Sequence, residues 1–273
     1  MKAILLGTII LLLLGTSCEE LPPTITPCQT DRVVLVEEFT GIDCVNCPTG
    51  AQKLKEISAQ NPGKVIIVGI HAGYFAGTHN GFNLNSTDGE LLEAQYLGPV
   101  SGYPAATINR RLFPGESDIV TAQTKWAGII NSELCERAIV SLDIVSTFDA
   151  STNKASITVD VAPSDFYLST VEEDVALTIM ITEDGIEGYQ KTPNGIELDY
   201  KHEHVLRDVV SVNYSGDVLF SKGTAMEPVQ KVVSDYVVPS DWNVDNCRVV
   251  AFVHHKGGKK DVLQAATKWL KPR

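Results

Sequence analysis

Val33-Val34-Leu35-Val36 is an unbroken apolar, β-branched run, the pattern of a strand buried on both faces. It leads through Glu37, Glu38, Phe39, Thr40 and Gly41 into Cys44-Val45-Asn46-Cys47. Helical spacing follows, with Ala51, Leu54 and Ile57 on one face, and Asn61-Pro62-Gly63 ends it. Val65 to Ile70 predicts a second fully buried strand. The stretch from His71 to Gly98 is polar and aromatic, with a short helix predicted from Asp88 to Tyr96. Ala106-Thr107-Ile108-Asn109 predicts a short strand. Ser117 or Asp118 is positioned to cap a longer helix whose Ile119, Ala122, Trp126, Ile129, Ile130 and Leu134 recur at helical spacing. Strand, helix, strand, strand, helix predicts an α/β domain over residues 31–137.

The period changes to two after Arg137. Val140, Leu142 and Ile144 alternate with polar residues, as do Ile157, Val159 and Val161, and then Val175, Leu177, Ile179 and Ile181. Further strands are predicted at Val205–Val212, Val229–Val238, Cys247–His254 and Val262–Ala266, with Gly257-Gly258 turning between the last two. Many short alternating strands predict an all-β domain over residues 138–273, an immunoglobulin-like β-sandwich of roughly seven strands. The expected fold class is therefore α/β plus all-β.

The N-terminus changes the picture of where this chain works. Lys2 precedes an apolar run from Ala3 to Leu14, interrupted only by Gly7 and Thr8, and small residues lead to Cys18. That is a secretory signal over residues 1–17, too short for a membrane anchor, which needs about 20 apolar residues. Leu14-Gly15-Thr16-Ser17-Cys18 resembles a lipobox, with Gly15 standing where Leu is usual. This makes Cys18 the expected lipidation site and residues 18–30 a tether stiffened by Pro22, Pro23 and Pro27. The alternative is an ordinary secreted protein with Cys18 a bystander. Glu19 and Glu20 resemble outer-membrane sorting signals; either leaflet is compatible with them.

Hydrophobic residues make up 44% and charged residues 21%, which excludes a disordered chain. Acidic residues outnumber basic ones 34 to 22, and no basic stripe exists to collect phosphates, so nucleic acid is not an expected partner. Six cysteines in an exported protein point to disulfides.

A C-x-x-C pair between a buried strand and a helix start puts two sulfurs within bonding reach, and a helix N-terminus favours a thiolate there. Cys44 is the expected attacking thiol and Cys47 the resolving one. Asp43 opposes this by placing negative charge beside Cys44. The region resembles thioredoxin-like proteins. By that resemblance Glu38, six residues before Cys44, is the proton acceptor for Cys47, and Tyr103-Pro104 is a cis-proline loop that holds substrate backbone. The departures are a missing Trp before Cys44, a Val-Asn dipeptide, Pro48 directly after the pair and an insertion around His71–Gly98.

A narrower resemblance spans nearly the whole mature chain. Val34 to Gly41 with Cys44, Asn46, Cys47 and Pro48, then Tyr103-Pro104 and Ile108-Asn109-Arg110, resemble the twenty-eight-kilodalton outer-membrane-protein family. So do His202-Glu203-His204-Val205-Leu206-Arg207, Asn246-Cys247 with Val249–His254, and Val262–Ala266. The resemblance implies a lipid-anchored outer-membrane protein with a thioredoxin-like N-terminal domain.

Plainer readings stand beside these. A zinc site needs two more ligands at suitable spacing, and none is present, so no metal or cofactor is expected. Cys28, Cys135 and Cys247 form an odd set, so at least one is unpaired within the chain; Cys28 is too far from the dithiol to join its chemistry, and Cys135 and Cys247 are expected as buried structural cysteines. His202 and His204 share a face if both lie on one strand, and a solvated face or domain contact accounts for them. His71 ends a buried strand close to the expected active face. Two functions follow. One is thiol–disulfide exchange on extracytoplasmic cysteine-containing proteins, in any redox direction. The other is a binding or scaffold lipoprotein whose dithiol is a locked disulfide and whose sandwich meets an envelope partner.

Overall fold

The computed structural model describes residues 28, 30–98, 100–164 and 170–273. The signal, Cys18 and most of the tether lie outside the described residues. Among the described residues the first elements are β1 (Val34–Thr40), α1 (Cys47–Gln60) and β2 (Val65–His71). β1 and β2 pair in parallel from Val34↔Val65 to Thr40↔His71, and every residue of both is buried, as unbroken apolar runs require. α2 (Thr87–Leu91) continues into a π-helical turn, Leu92–Leu97. β3 (Ala105–Ile108) pairs antiparallel with β1, and the short β4 (Val120–Ala122) covers its outer edge. α3 (Trp126–Glu133) closes the first half.

The longer helix expected from residue 117 is therefore confined to α3. Thr121 and Val120 are drawn into the sheet opposite Ala106 and Thr107. The helical spacing of Ile119 and Ala122 was coincidental there, because an unpaired sheet edge next to these residues offers backbone partners that a helix end does not.

The second half supplies β5 (Val140–Asp149), β6 (Lys154–Pro163), β7 (Val175–Glu183), β8 (Ile186–Thr192), β9 (Gly195–His202), β10 (Val205–Val209), β11 (Asp217–Phe220), β12 (Val229–Val237), β13 (Cys247–His255) and β14 (Val262–Trp269). Two sheets do face each other, as a sandwich requires. β12-β6-β5 form one, and Ile144, Ile157 and Val159 from it pack on Leu177, Ile179, Val249 and Ala251 of β7 and β13. The second sheet extends beyond residue 138 in both directions along the chain. Its order is β14-β13-β7-β10-β2-β1-β3-β4, nine strands with β11 included, so strands from both halves share one sheet. The join is the parallel contact of β10 with β2, where the Gly69 N–H donates to the His204 carbonyl at 2.7 Å.

Three cores result. The face of β1 that carries Val34 and Val36 packs on Leu54 and Ile57 of α1 and Trp126 and Ile130 of α3. The opposite face, with Leu35 and Phe39, shares a core with Met180, Val250 and Phe252. β7 is buried at all nine positions because one face meets the three-stranded sheet and the other meets this second core. β8 and β9 form a separate hairpin that sequence patterning did not reveal.

Candidate functional site

β1 delivers its chain into a tight loop, Gly41 to Asn46, that carries the C-x-x-C pair to the start of α1. Cys44 and Cys47 are joined by a disulfide, and each is only 2% exposed. The expected helix-terminus effect is weaker than a bare N-terminus would give. The Cys47 N–H donates to the Cys44 carbonyl, Pro48 has no N–H, and the Thr49 N–H donates to the Asn46 carbonyl.

Two segments clamp the loop. On one side Asp43 N–H donates to the Phe75 carbonyl at 3.0 Å, and a Cβ on Gly41 would sit 2.2 Å from the Phe75 oxygen. On the other side the β8–β9 hairpin reaches in. Lys191 N–H donates to the Ile42 carbonyl at 2.8 Å, and buried Gln190 gives its Nε2 hydrogens to the carbonyls of Gly41, Cys44 and Lys191. Asp43 lies 2.6 Å from Lys191 Nζ and 2.9 Å from His79 Nε2. Burial works against its charge, but those two partners outweigh burial and hold the carboxyl below its usual range. The opposition that Asp43 offers to a Cys44 thiolate is thereby largely met by Lys191.

Glu38 points to the α1 side of the sheet. A Cβ on Gly50 would lie 2.7 Å from its Oε1 and 2.8 Å from Pro104 Cβ, so Gly50 is the residue that lets helix, carboxyl and proline meet. The Tyr103-Pro104 peptide is cis. Tyr103 itself turns away: its hydroxyl donates to Glu93 at 2.7 Å and its ring packs edge-on against Phe75. Glu38 is 4% exposed and its Oε1 has no hydrogen-bond partner. Burial alone pushes its carboxyl up to about 8.

Glu38 and Cys47 line the same small chamber, with Thr40, His71, Gln190, Tyr200 and His202. It adjoins a groove of about 560 Å³ between α1 and β9, walled by Gln52, Lys55 and Tyr200 and reached again by Glu38. Both histidines are held neutral, His71 at about 3 by burial and the neighbouring His202, and His202 at about 4 by burial.

The profile of the family described as outer membrane protein Omp28 matches residues 92–272. That stretch is well over half of the chain. The chain belongs to the Omp28 family. The match takes in β3, Pro104, the hairpin and His202 and stops short of the β1–α1–β2 unit with Glu38, Cys44 and Cys47, so Omp28 membership covers the hairpin side of the site but not the dithiol itself. Among solved structures, HBP35 of Porphyromonas gingivalis is similar at a TM-score of 0.67 and 17% identity, covering 90% of this chain and 78% of that one. A protein of Agrobacterium tumefaciens is similar at a TM-score of 0.55 and 16% identity, covering 89% and 97%. At those identities the likeness is one of fold. No curated protein matches the sequence.

The remaining cysteines of this Omp28 chain are placed differently from expectation. Cys28 and Cys135 form a second disulfide, closing a sequence separation of 107 residues, and Cys135 is exposed where a buried position was expected. Cys247 is free and buried, and burial and Glu183 push its thiol up to about 12, so it is inert. His202 and His204 do not share a strand face: His202 ends β9 inside the chamber, while His204 has a φ of 58° and pairs with Asp184 at 3.0 Å. Among the described residues no cluster suits a metal ion. Gln190, Tyr200 and Gly50 escaped sequence reasoning. A Gly three residues after a helix-starting Cys was the one available signal.

Proposed function

We propose that this protein is a lipid-anchored outer-membrane member of its family that performs thiol–disulfide exchange on extracytoplasmic proteins through Cys44 and Cys47. The parallel β1–α1–β2 unit, antiparallel β3 and the cis Tyr103-Pro104 beside α1 support a thioredoxin-like reading of residues 31–137. The two facing sheets support an immunoglobulin-like reading of 138–273, with one sheet shared. Cys18 is the proposed lipid attachment point.

One observation carries the exchange reading. A buried, unpartnered carboxyl raised to about 8 lines the same chamber as Cys47. A structural disulfide has no use for it, and an ionisable group left without partners is costly to keep. In the reductive direction a partner thiolate attacks Cys44 Sγ and the Cys44–Cys47 bond breaks. Cys47 leaves as a thiolate and takes the proton of Glu38. The second thiol of the partner then attacks the mixed disulfide, so the partner is oxidised by two electrons and Cys44 leaves reduced. Pro104, fixed against α1, is the surface on which partner backbone would lie.

The clamped loop favours a second reading, a locked disulfide in a scaffold lipoprotein, because both sulfurs are 2% exposed. Equilibration with glutathione buffers, with thiols counted by mass spectrometry, separates the two. A potential between about −120 and −270 mV supports exchange, and one below roughly −300 mV supports the scaffold.

A further inference from the structure

The groove between α1 and β9 has no part in the exchange reading, and its chemistry differs from that of the dithiol loop. Pro48 and Ala51 of α1 line one side, Tyr200 of β9 lines the other, and β2 contributes Ile67, around a space of about 560 Å³. From Pro48 to Lys55 the helix rises about 10 Å. A largely apolar slot of that length, with a few polar groups at fixed places, suits a small molecule.

Two polar groups define what that molecule carries. Glu38 borders the groove and is 4% exposed. Its Oε1 has no hydrogen-bond partner and burial is the only influence on the carboxyl, so no donor or cation of the fold answers it. A neutral carboxyl in that position is a donor without an acceptor, which is rare among buried groups. Its strongest complement is a carboxylate, whose oxygen accepts the O–H in a short, charge-assisted bond. A carboxylate brought into an apolar slot needs a cation nearby. Lys55 supplies one: it is exposed on the groove and has no ion-pair or hydrogen-bond partner among the described residues, whereas Lys201 lies 3.3 Å from Glu187. Glu203, the other acid on the groove, accepts from the Gly185 N–H at 3.0 Å. We propose that this groove binds a small carboxylic acid with an apolar body, its carboxylate accepting from Glu38 and facing Lys55, its hydrocarbon lying against Ala51, Ile67 and Tyr200. The site needs neither sulfur, so a locked disulfide would leave it intact.

Binding of this kind depends on pH through Glu38. The titratable groups around it are Cys47 from α1, His71 from β2, and Tyr200, His202 and Glu203 from β9 and its end, with Lys55, Lys201 and His204 on the groove. Loss of the Glu38 proton removes the donor and sets a second negative charge against the ligand. With that carboxyl pushed up to about 8 by burial, it is mostly protonated near pH 6.5 and mostly ionised near pH 9. Affinity should fall roughly tenfold between those two values.

The test titrates decanoate calorimetrically into the whole protein in its disulfide form, at low salt. The expected result is saturable binding at a single site, with a dissociation constant at or below about 1 mM near pH 6.5. Ala51→Trp, which fills the slot from a half-buried helix position, should abolish it. Lys55→Gln should weaken it about two- to fivefold, and Lys55→Arg should keep it. Decanol, with the same tail and no charge, should bind more weakly than decanoate. The infrared band of the protonated Glu38 carboxyl, assigned by its loss in Glu38→Gln, should shift when decanoate binds. Absence of saturable binding overturns the proposal, and so does binding that leaves the Glu38 band unmoved or persists in a folded Ala51→Trp. Circular dichroism shows whether that variant is folded; if it is not, Lys55→Gln, at an exposed position, and the Glu38 band decide. Because every measurement is made on the disulfide form, failure here is separate from failure of the exchange reading.

Discussion

Glu37 and Glu38 are adjacent on β1, both buried, and face opposite sides of one sheet. Glu37 is fully enclosed by partners: Arg110 Nη2 at 2.6 Å, Arg110 Nε at 2.8 Å and the Thr107 hydroxyl at 2.8 Å. The Arg110 guanidinium in turn lies over the rings of Tyr96 and Phe252. Glu38, one residue along, has an Oε1 with nothing to bond and holds its proton to about pH 8. Equal burial thus yields opposite outcomes. Where a fixed cation answers the carboxylate, the residue is part of the core; where none does, it becomes a proton reservoir beside a dithiol.

The comparison breaks most visibly at Glu37. Glu37→Gln leaves Arg110 charged, fully buried and without its counter-ion, and removing one partner of such a pair costs about 3–5 kcal/mol. Urea unfolding should show a loss of unfolding free energy of that size at pH 7. Replacing both at once, Glu37→Leu with Arg110→Met, should recover most of the loss; a double variant no more stable than the single would mean that the unpaired Arg110 charge is not the source of the loss.

Glu38→Gln should act with the opposite sign. A carboxyl with a raised folded pKa contributes stability that is complete below about pH 4.5 and is lost as pH climbs to about 8. Over that window the parent should lose up to about 1.4 kcal/mol per pH unit, whereas the variant should hold a flatter profile and be the more stable of the two above pH 7. The same variant should slow reduction of Cys44–Cys47. Equal slopes in both proteins would place the proton elsewhere.

How much of this could be read from sequence depends on the kind of signal each part leaves. β1, α1 and β2 were legible because a strand buried on both faces and an amphipathic helix each write their own period. Their meeting point was legible too, since Cys44 and Cys47 straddle the change from one period to the other. The shared sheet was not, because alternation along β7 or β10 reads the same whichever strand lies alongside. Opposite fates for Glu37 and Glu38 were also hidden: Arg110 and Thr107 lie some seventy positions away, at separations of 73 and 70. The hairpin left the weakest trace, with β9 exposed at six of its eight positions. Gln190 looks like any surface glutamine until the fold buries it.

Gly50 allows the comparison to be sharpened from the α1 side. A methyl group there meets Glu38 Oε1 at 2.7 Å and Pro104 at 2.8 and 2.9 Å, and the proline ring cannot swing aside. Gly50→Ala should destabilise by roughly 1–3 kcal/mol and should also disturb the Glu38 proton, moving the pH profile of stability. Gly128, which lies in α3 with open space around its Cβ position and no left-handed φ, is the control for backbone effects alone.

The smallest stability effect should come from the roof, and it discriminates best between an exchanging and a locked disulfide. Gln190 spends its amide hydrogens on three carbonyls, two of them in the dithiol loop. Gln190→Ala leaves those acceptors to water and should lower stability by about 1–2 kcal/mol. Its effect on reactivity should be larger in proportion. If exchange proceeds by opening the hairpin, loosening it raises the open fraction, and 1.4 kcal/mol of loosening is a tenfold gain in that fraction. Dithiothreitol should then reduce Cys44–Cys47 several-fold faster in Gln190→Ala. An unchanged rate in a destabilised Gln190→Ala variant would mean that the reagent reaches the sulfurs by the groove beside Glu38, and that the hairpin shapes the chamber without governing access to it.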